Sequence, residues 1–585
     1  MTIPATTAGS TAEEVIGFEA PGPGSWFLLA DHFPDPVTPQ YAAIWIPTME
    51  AANATLAERY GIPLAGIHGA SLHGYLYLRG VPLVGSNAQT LPPMWLLKLG
   101  VAIHPALRRC RRAAERALRV RPWRAVADDW ERRVRPAWVE ANLARQRVDP
   151  AACTDDELAA HLLDCTQAWR DGYSIHFDYH GSDQLPIAAY IVRGEQLGLA
   201  RTDLLAALTG WSPASLGRDA TLVALRTAVR DVLGDPGDLG APLPVTLDEL
   251  RALGPEVART LDDHLAMHGW RMVTSYDLEG RALIELPQVV LGRVLAPEAD
   301  LDADSMRAAS DAVAQQLRAA VPAEHRAELD RLLDDARVTY GLRDDNGAIV
   351  GAWPVGLARR AYLEASRRLH AAGAIEHPDH VFELLAEEVA TLLRGGVASS
   401  ADLDRESVAG RARDRRRAAG ADAPLAIGPP MVAPDASALP AAMALLTQAQ
   451  VLVAEDSGFV DLDRTGAVDE SVVVGTGIGT GTFEGIARVA IDPGAALAEI
   501  VPGEVLVARS TNPAWNAVLP LVAALVVEEG GALSHAGIMA RELDLPTVIG
   551  ASQATTVLRT GDPVVVDVDA GTVRRAIGAA STIGT

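Results

Sequence analysis

Lysine is almost absent from this 585-residue chain: Lys98 stands alone beside 50 arginines. Sites for nucleoside triphosphates commonly set the compact ammonium of a lysine on the phosphates. No Gly-x-x-x-x-Gly-Lys-Ser/Thr loop is present to supply one. Lys98 follows Leu91-Pro92-Pro93-Met94-Trp95-Leu96-Leu97 and reads as a packing residue with a snorkelling amine. Codon usage in a GC-rich genome accounts for arginine over lysine on a surface, but it is not expected to erase a phosphate-binding lysine. Cysteine is also scarce. Cys110, Cys153 and Cys165 have no metal-ligand spacing, which points to reduced thiols and a cytoplasmic location. Positive charge is in deficit: the net charge of −24 argues against a nucleic-acid or anionic-membrane partner. Of the local basic runs, Arg108–Arg124 and Arg411–Arg417, the first is interleaved with Ala and Leu as on a solvated helix. No charged-then-apolar leader opens the chain. The most apolar stretch, around residues 91–107, is broken by Lys98 and Pro105, so no membrane span is expected.

What remains is a chain long enough for several domains, with 49% hydrophobic and 22% charged residues, as in a soluble globular protein. Residues 1–400 are mainly helical by pattern. Leu329, Leu332, Leu333, Ala336 and Tyr340 keep one helix face apolar. A second helix runs from Leu357 to Leu369 and stops at Gly373. Phe382, Leu385, Val389 and Leu392 repeat the pattern before Gly395-Gly396. Residues 401–440 turn rich in Arg, Ala, Pro and Gly, the composition of a flexible linker. Residues 441–585 form the last block; from about Val472 short Val/Ile strands alternate with glycine turns and short helices, predicting a compact α/β domain.

The chemistry is most legible in that last block. Ala523-Ala524-Leu525-Val526-Val527 is an apolar run of buried-strand type. Gly530 and Gly531 let the backbone turn, Ser534 is a candidate N-cap, and residues 535–543 have helical composition ending before Pro546. His535 therefore falls in the first turn of a helix at the tip of a glycine turn. Free backbone N–H groups and the positive end of the helix dipole favour phosphate there, and neutral imidazole is a nucleophile at physiological pH.

The run Gly530-Gly531-x-x-Ser534-His535-x-x-Ile538-x-Ala540-Arg541-Glu542-Leu543-x-x-Pro546-x-Val548-x-Gly550 resembles, nearly residue for residue, the phosphohistidine signature of the phosphoenolpyruvate-utilising enzymes. Its flanks agree: Gly503–Val507 and Thr511-Asn512-Pro513-Ala514-Trp515 upstream, Gly561–Asp567 and Gly571-Thr572-Val573 downstream. The resemblance implies a division of labour in which an ATP-grasp domain phosphorylates His535, a swivelling domain carries the phosphoryl group, and a third domain presents an acceptor. It implies a large, mainly α-helical acceptor domain followed by a compact α/β (β/β/α) swivelling phosphohistidine domain. A flexible tether suits a histidine that visits two sites, since the linker sets its effective concentration at each. Only fifty residues follow His535, whereas a pyruvate-binding TIM barrel needs roughly 250, so pyruvate is not the expected acceptor. The single lysine places the ATP-handling part on another polypeptide. No cofactor is then expected on this chain itself; ATP and Mg²⁺ enter through a separate ATP-grasp subunit.

Residues 1–400 are similar, more loosely, to the acceptor domain of rifampin phosphotransferase-like proteins. The similarity runs through Trp26, Asp31-His32-Phe33-Pro34-Asp35-Pro36-Val37-Thr38-Pro39 and His268-Gly269-Trp270-Arg271. It continues through Tyr340–Asp345, Arg359–Glu364, Gly373-Ala374-Ile375 and Val381–Leu384. Transfer from phosphohistidine to a hydroxyl needs positive charge on the moving phosphoryl group and a base for the proton. Arg343 and Arg271 are candidate clamps, or ordinary salt-bridge partners of acids such as Asp344 and Asp277. His32, beside Asp31, is the candidate base, or a loop histidine capping a Pro-rich turn. Asp31, Thr38, His176 and His180 are candidate acceptor-pocket residues, and Gly530, Gly531, Ser534 and Arg541 candidate phosphate-binding residues. The cluster Tyr173–His180 reads equally as half-buried helix packing, and its spacing does not suggest a metal. Leu533 replaces the threonine through which the plant-type dikinase is regulated. The expectation is a phosphotransferase component acting on a small alcohol or phenol; the alternative is a regulatory or binding protein that keeps the carrier fold.

Overall fold

The computed structural model describes residues 16–30, 32–84, 94–212, 220–234, 244–295, 303–395, 403–429, 436, 439–456, 472–490, 493–511, 515, 518–532 and 534–576. Its largest core is organised by the 29-residue helix Asp155–Asp183. Thr154 and Glu157 start it with a reciprocal capping box. Leu158, Leu162, Cys165, Trp169, Tyr173 and Phe177 then fall on one buried stripe, at the three- and four-residue steps of an amphipathic helix. Helices Pro39–Asn53, Trp353–Ala371 and Ala386–Leu393 contribute to the same core. Packing is close enough to need glycine. A Cβ on Gly172 would lie 1.9 Å from the Val350 carbonyl oxygen, and one on Gly356 1.7 Å from that of Trp270.

Two features of this block depart from the helical pattern. Strands β1 (Trp26–Leu28), β2 (Leu64–Leu72), β3 (Tyr75–Pro82) and β4 (Ala426–Ile427) form an antiparallel sheet in the order β2-β3-β1-β4. The β2–β3 hairpin turns at His73-Gly74, both with positive φ, as a two-residue hairpin requires. The single helix expected across Phe382–Leu392 is instead a 3₁₀ turn, Pro378–Glu383, followed by helix Ala386–Leu393. The break falls where Glu388 folds back to accept from the Leu385 backbone N–H.

The 401–440 stretch, expected to be a flexible linker, is anchored where it is described. Arg405–Ala419 is a helix N-capped by Asp404, and Val408 joins the main core. Arg411 binds Glu388, and Arg415 bridges Glu279 and Glu383. Strand β4 then pairs with β1. Arg405, Arg411 and Arg415, among the arginines that gave the segment a linker's composition, are here ion-paired to other elements of the block. Helix Ala441–Asp456, expected in the last domain, also belongs to the helical block: Met443, Leu446 and Ala449 are buried in the core of helices Pro105–Val120 and Leu185–Gln196. Apolar residues on several faces suit it to a bundle interior.

The C-terminal α/β domain is built on β5 (Val472–Val474), β6 (Thr476–Ile478), β7 (Thr482–Ala490), β8 (Val505–Ala508), β9 (Ala524–Val527), β10 (Thr547–Ile549), β11 (Pro563–Asp567) and β12 (Thr572–Arg575). These lie in the order β5-β12-β11-β7-β8-β9-β10-β6. The central strands β7, β8, β9 and β10 run parallel. Strands β8 and β9 are buried throughout, as parallel strands covered on both faces must be, and separate apolar clusters fill the two sides.

Candidate functional site

At the carboxyl end of β9 the chain turns through Gly530, whose φ is +99°, and enters helix His535–Glu542. His535 is the first residue of that helix. Ser534 is its N-cap: the hydroxyl accepts from the Gly537 N–H at 3.3 Å and donates to the Gly531 carbonyl at 2.7 Å. Two glycines make this tight turn feasible. A Cβ on Gly530 would lie 2.8 Å from Ser534 Oγ, and one on Gly537 2.7 Å from the Ala532 carbonyl oxygen. Arg541 braces the turn from the far end of the helix, its Nη2 donating to that same carbonyl at 2.6 Å. Its Nε and Nη1 are buried without a hydrogen-bond partner among the described residues. The turn thus sets the start of a helix, with its outward N–H groups, beside an arginine with spare donors.

In the helical block the residues read from sequence gather around two buried tyrosines. Thr38 caps helix Pro39–Asn53. Its N–H and hydroxyl both donate to the Asp277 carboxylate, at 2.6 Å each, and the Leu278 N–H adds a third bond at 2.6 Å. Burial pushes the Asp277 pKa up to about 6, and those three bonds only partly offset it. The adjoining Tyr276 ring stacks on His32, with centroids 6.3 Å apart. Tyr41, one helical turn after Thr38, accepts a hydrogen bond from Tyr173 at 3.3 Å, and burial raises both phenols. Tyr173 also lies against His176, with ring centroids 6.4 Å apart. Asp31 lies outside the described residues.

At the other side of Tyr173, His176 Nδ1 is 2.5 Å from Asn346 Oδ1, and His176 Nε2 is 3.2 Å from His180 Nε2. Asn346 Nδ2 donates to the Leu342 carbonyl at 2.7 Å and reaches Asp183 Oδ2 at 3.4 Å. Arg343 belongs to the short helix Leu342–Asn346 that carries Asn346. Arg271 stands elsewhere: its guanidinium covers the Trp353 ring, 5.2 Å from the centroid. Burial, aided by the Arg271 charge, holds the neighbouring His268 far below the usual histidine range. Among the described residues no group of three or more His, Cys, Asp or Glu could hold a metal ion, and no helix is long and apolar enough to cross a membrane.

The family model for the PEP-utilising enzyme mobile domain matches residues 500–571, which run from the approach to β8 to the turn before β12. This chain carries a PEP-utilising enzyme mobile domain. Its relatives include rifampicin phosphotransferase of Streptomyces sviceus, 28% identical over 54% of this chain and 34% of that protein. Another is the uncharacterized phosphotransferase YvkC of Bacillus subtilis, 25% identical over 55% of this chain and 36% of that protein. A third, probable phosphoenolpyruvate synthase of Staphylothermus marinus, is 41% identical over 17% of this chain and 12% of that protein. This chain therefore spans about a third of the length of the first two relatives. Those two likenesses cover more of it than the mobile domain contains, so they extend into the helical block.

The mobile domain is docked on that block. Ala532 and Ile538, which bracket His535, pack with the apolar cluster that contains Tyr60, Leu185 and Met443. Leu497, on helix Pro493–Glu499, fills the space that a Cβ on Gly292 would occupy, its Cδ2 lying 2.6 Å from that position. Arg509, held to Glu529 at 2.8 Å, stands close enough to Tyr75 for its charge to act on the phenol, beside Asp35.

Several residues that build this region carry little sequence signal. Asp277, Asn346 and Asp183 are three polar residues among many, and only long-range contact distinguishes them. Arg359 and Tyr362, quoted from the acceptor-domain similarity, are scaffold here. Arg359 binds Glu285 and the Leu278 carbonyl, while the Tyr362 hydroxyl donates to Gln40 and the Leu384 carbonyl.

Proposed function

We propose that this chain is a phosphotransferase component that carries a phosphoryl group on His535 from a separate ATP-grasp subunit to the hydroxyl of a small alcohol or phenol. The observation that carries the reading is the Gly530–His535 turn. It joins a capped helix start to the carboxyl end of a parallel strand, on a domain that packs against the helical block. In this reading the helix N–H groups, Ser534 and Arg541 hold the phosphoryl oxygens around His535. The helical block presents the acceptor, with Arg343 as the phosphoryl clamp and Thr38, His32, His176 and His180 around the hydroxyl. ATP and Mg²⁺ act at the partner, where the metal would neutralise the triphosphate. The relatives, a rifampicin phosphotransferase among them, support phosphoryl transfer as the reaction class. The working place of such a protein is the cytoplasm, where ATP is found.

The test mixes this chain with a candidate ATP-grasp subunit and ATP labelled at the β or γ phosphate. The expected result is an acid-labile, base-stable label on wild type that is absent from His535→Ala. Label that persists in the variant removes the assignment.

A further inference from the structure

We infer that the arginine face of helix Pro105–Val120 is the seat of the ATP-handling subunit, which meets it with an acidic surface. The inference rests on the proposed carrier role of His535, because that role requires a donor polypeptide. Between Met94 and Arg124 the sequence sets nine Lys and Arg against a single acid, Glu115, in a chain whose net charge is −24. The fold then sorts them. Cys110, Ala113, Ala114 and Ala117 are buried on one side of the helix. Arg109, Arg112, Arg116 and Arg119 follow at three- and four-residue steps on the other side, and these four and Arg108 are exposed.

Most of these cations are not neutralised within the chain. Arg121 and Arg124, just beyond the helix, are held by Asp334 and Asp335. Arg111 pairs with Glu115 at 3.6 Å, and Arg116 donates to the Glu58 carbonyl at 3.1 Å. Lys98, Arg108, Arg109, Arg112 and Arg119 form no ion pair among the described residues. Like charges at such spacings repel along a helix, and an acidic surface set against them relieves that repulsion. The preceding helix, Met94–Ile103, adds an apolar part: Leu99 is 43% and Ile103 62% exposed. Arginine beside apolar side chains is the composition of a protein interface.

Charge and position select the occupant. An extended polyanion, a nucleic acid or a membrane, would set its charge against the acidic remainder of the chain as well as against this face. A protein with one acidic patch meets the arginines alone. The inner face of the same helix, through Cys110, Ala114 and Ala117, belongs to the apolar cluster in which Ile538 is buried and against which Ala532 packs. A subunit held on the outer face is therefore anchored to the cluster on which the His535 turn rests.

The test measures binding of the full chain to each ATP-grasp polypeptide of its genome by biolayer interferometry, at low and high salt. One of them should bind wild type and weaken as salt rises. It should bind Arg108→Glu/Arg109→Glu/Arg112→Glu about tenfold or more weakly, with most of the salt dependence gone. Leu99→Ser/Ile103→Ser should weaken binding but leave the salt dependence in place. With ATP, that polypeptide should label His535 more slowly in the arginine variant than in wild type. Phosphoramidate, a small donor that needs no docking, should label both alike. Binding indifferent to the arginine variant, or no binding by any of the polypeptides, overturns the inference. An arginine-dependent dimer in light scattering overturns it too, as does arginine-dependent binding to vesicles of equal parts phosphatidylglycerol and phosphatidylcholine, because either gives the face another occupant. If neither donor labels His535 in wild type, the carrier reading falls, and the binding arm still decides the docking face.

Discussion

Asp277 keeps a carboxyl group in the interior with Thr38 and Leu278 as its hydrogen-bond donors, and it makes the fold sensitive to mild acid in an unusual direction. Its pKa is pushed up to about 6, above the unfolded value, so the folded state binds the proton more tightly between roughly pH 4 and 6. Stability from this group is therefore fully present below about pH 4 and falls as pH rises through 6, by about 3 kcal/mol for a shift of about two units. Subtracting the urea stability of Asp277→Asn from that of wild type at each pH should show this fall. A flat difference would mean that hydrogen bonding fully offsets burial, and a rise with pH that it outweighs it. Thr38→Val removes the helix cap and the hydroxyl donor together, and should cost about 1–3 kcal/mol in the same assay.

Among the elements, the helices that frame the site are held in register by glycines at crossing points. Gly356 on helix Trp353–Ala371 meets the Trp270 carbonyl, beside the Arg271–Trp353 contact, and Gly172 on the long central helix meets that of Val350. Backbone atoms cannot move aside as a flexible side chain can, so Gly356→Ala and Gly172→Ala should each destabilise by about 3 kcal/mol. Gly410 lies on helix Arg405–Ala419 with only the Arg413 guanidinium at ordinary contact distance. Gly410→Ala should therefore stabilise, by up to about 1 kcal/mol, because alanine favours the helix. Thermal melts of the three variants give the signs, and equal losses in all three would refute the packing argument. The same helix shows how composition misleads. Arg and Ala in a run suggest a tether, yet Arg411 and Arg415 are tied to Glu388, Glu279 and Glu383 on other elements.

For the whole molecule, the question is how firmly the mobile domain is docked. Its described contacts with the helical block include Ile538 and Ala532 at one place, Leu497 against Gly292 at another, and Arg509 near Tyr75. Leu497→Asp places a charge in the apolar notch and should release the domain, raising the radius of gyration measured by small-angle X-ray scattering. An unchanged radius would show that other contacts hold it. Sequence alone determined the turn around His535, because strand, glycines, N-cap and helix lie within about 25 consecutive residues and each leaves a local mark. The helical character of the first block was legible for the same reason, through the spacing of its apolar residues. Tertiary structure decided the rest. Thr38 meets Asp277 across 239 residues and His176 meets Asn346 across 170. A hydrogen bond between such distant positions leaves no periodicity in either segment, so only the packed chain brings the donor to its acceptor.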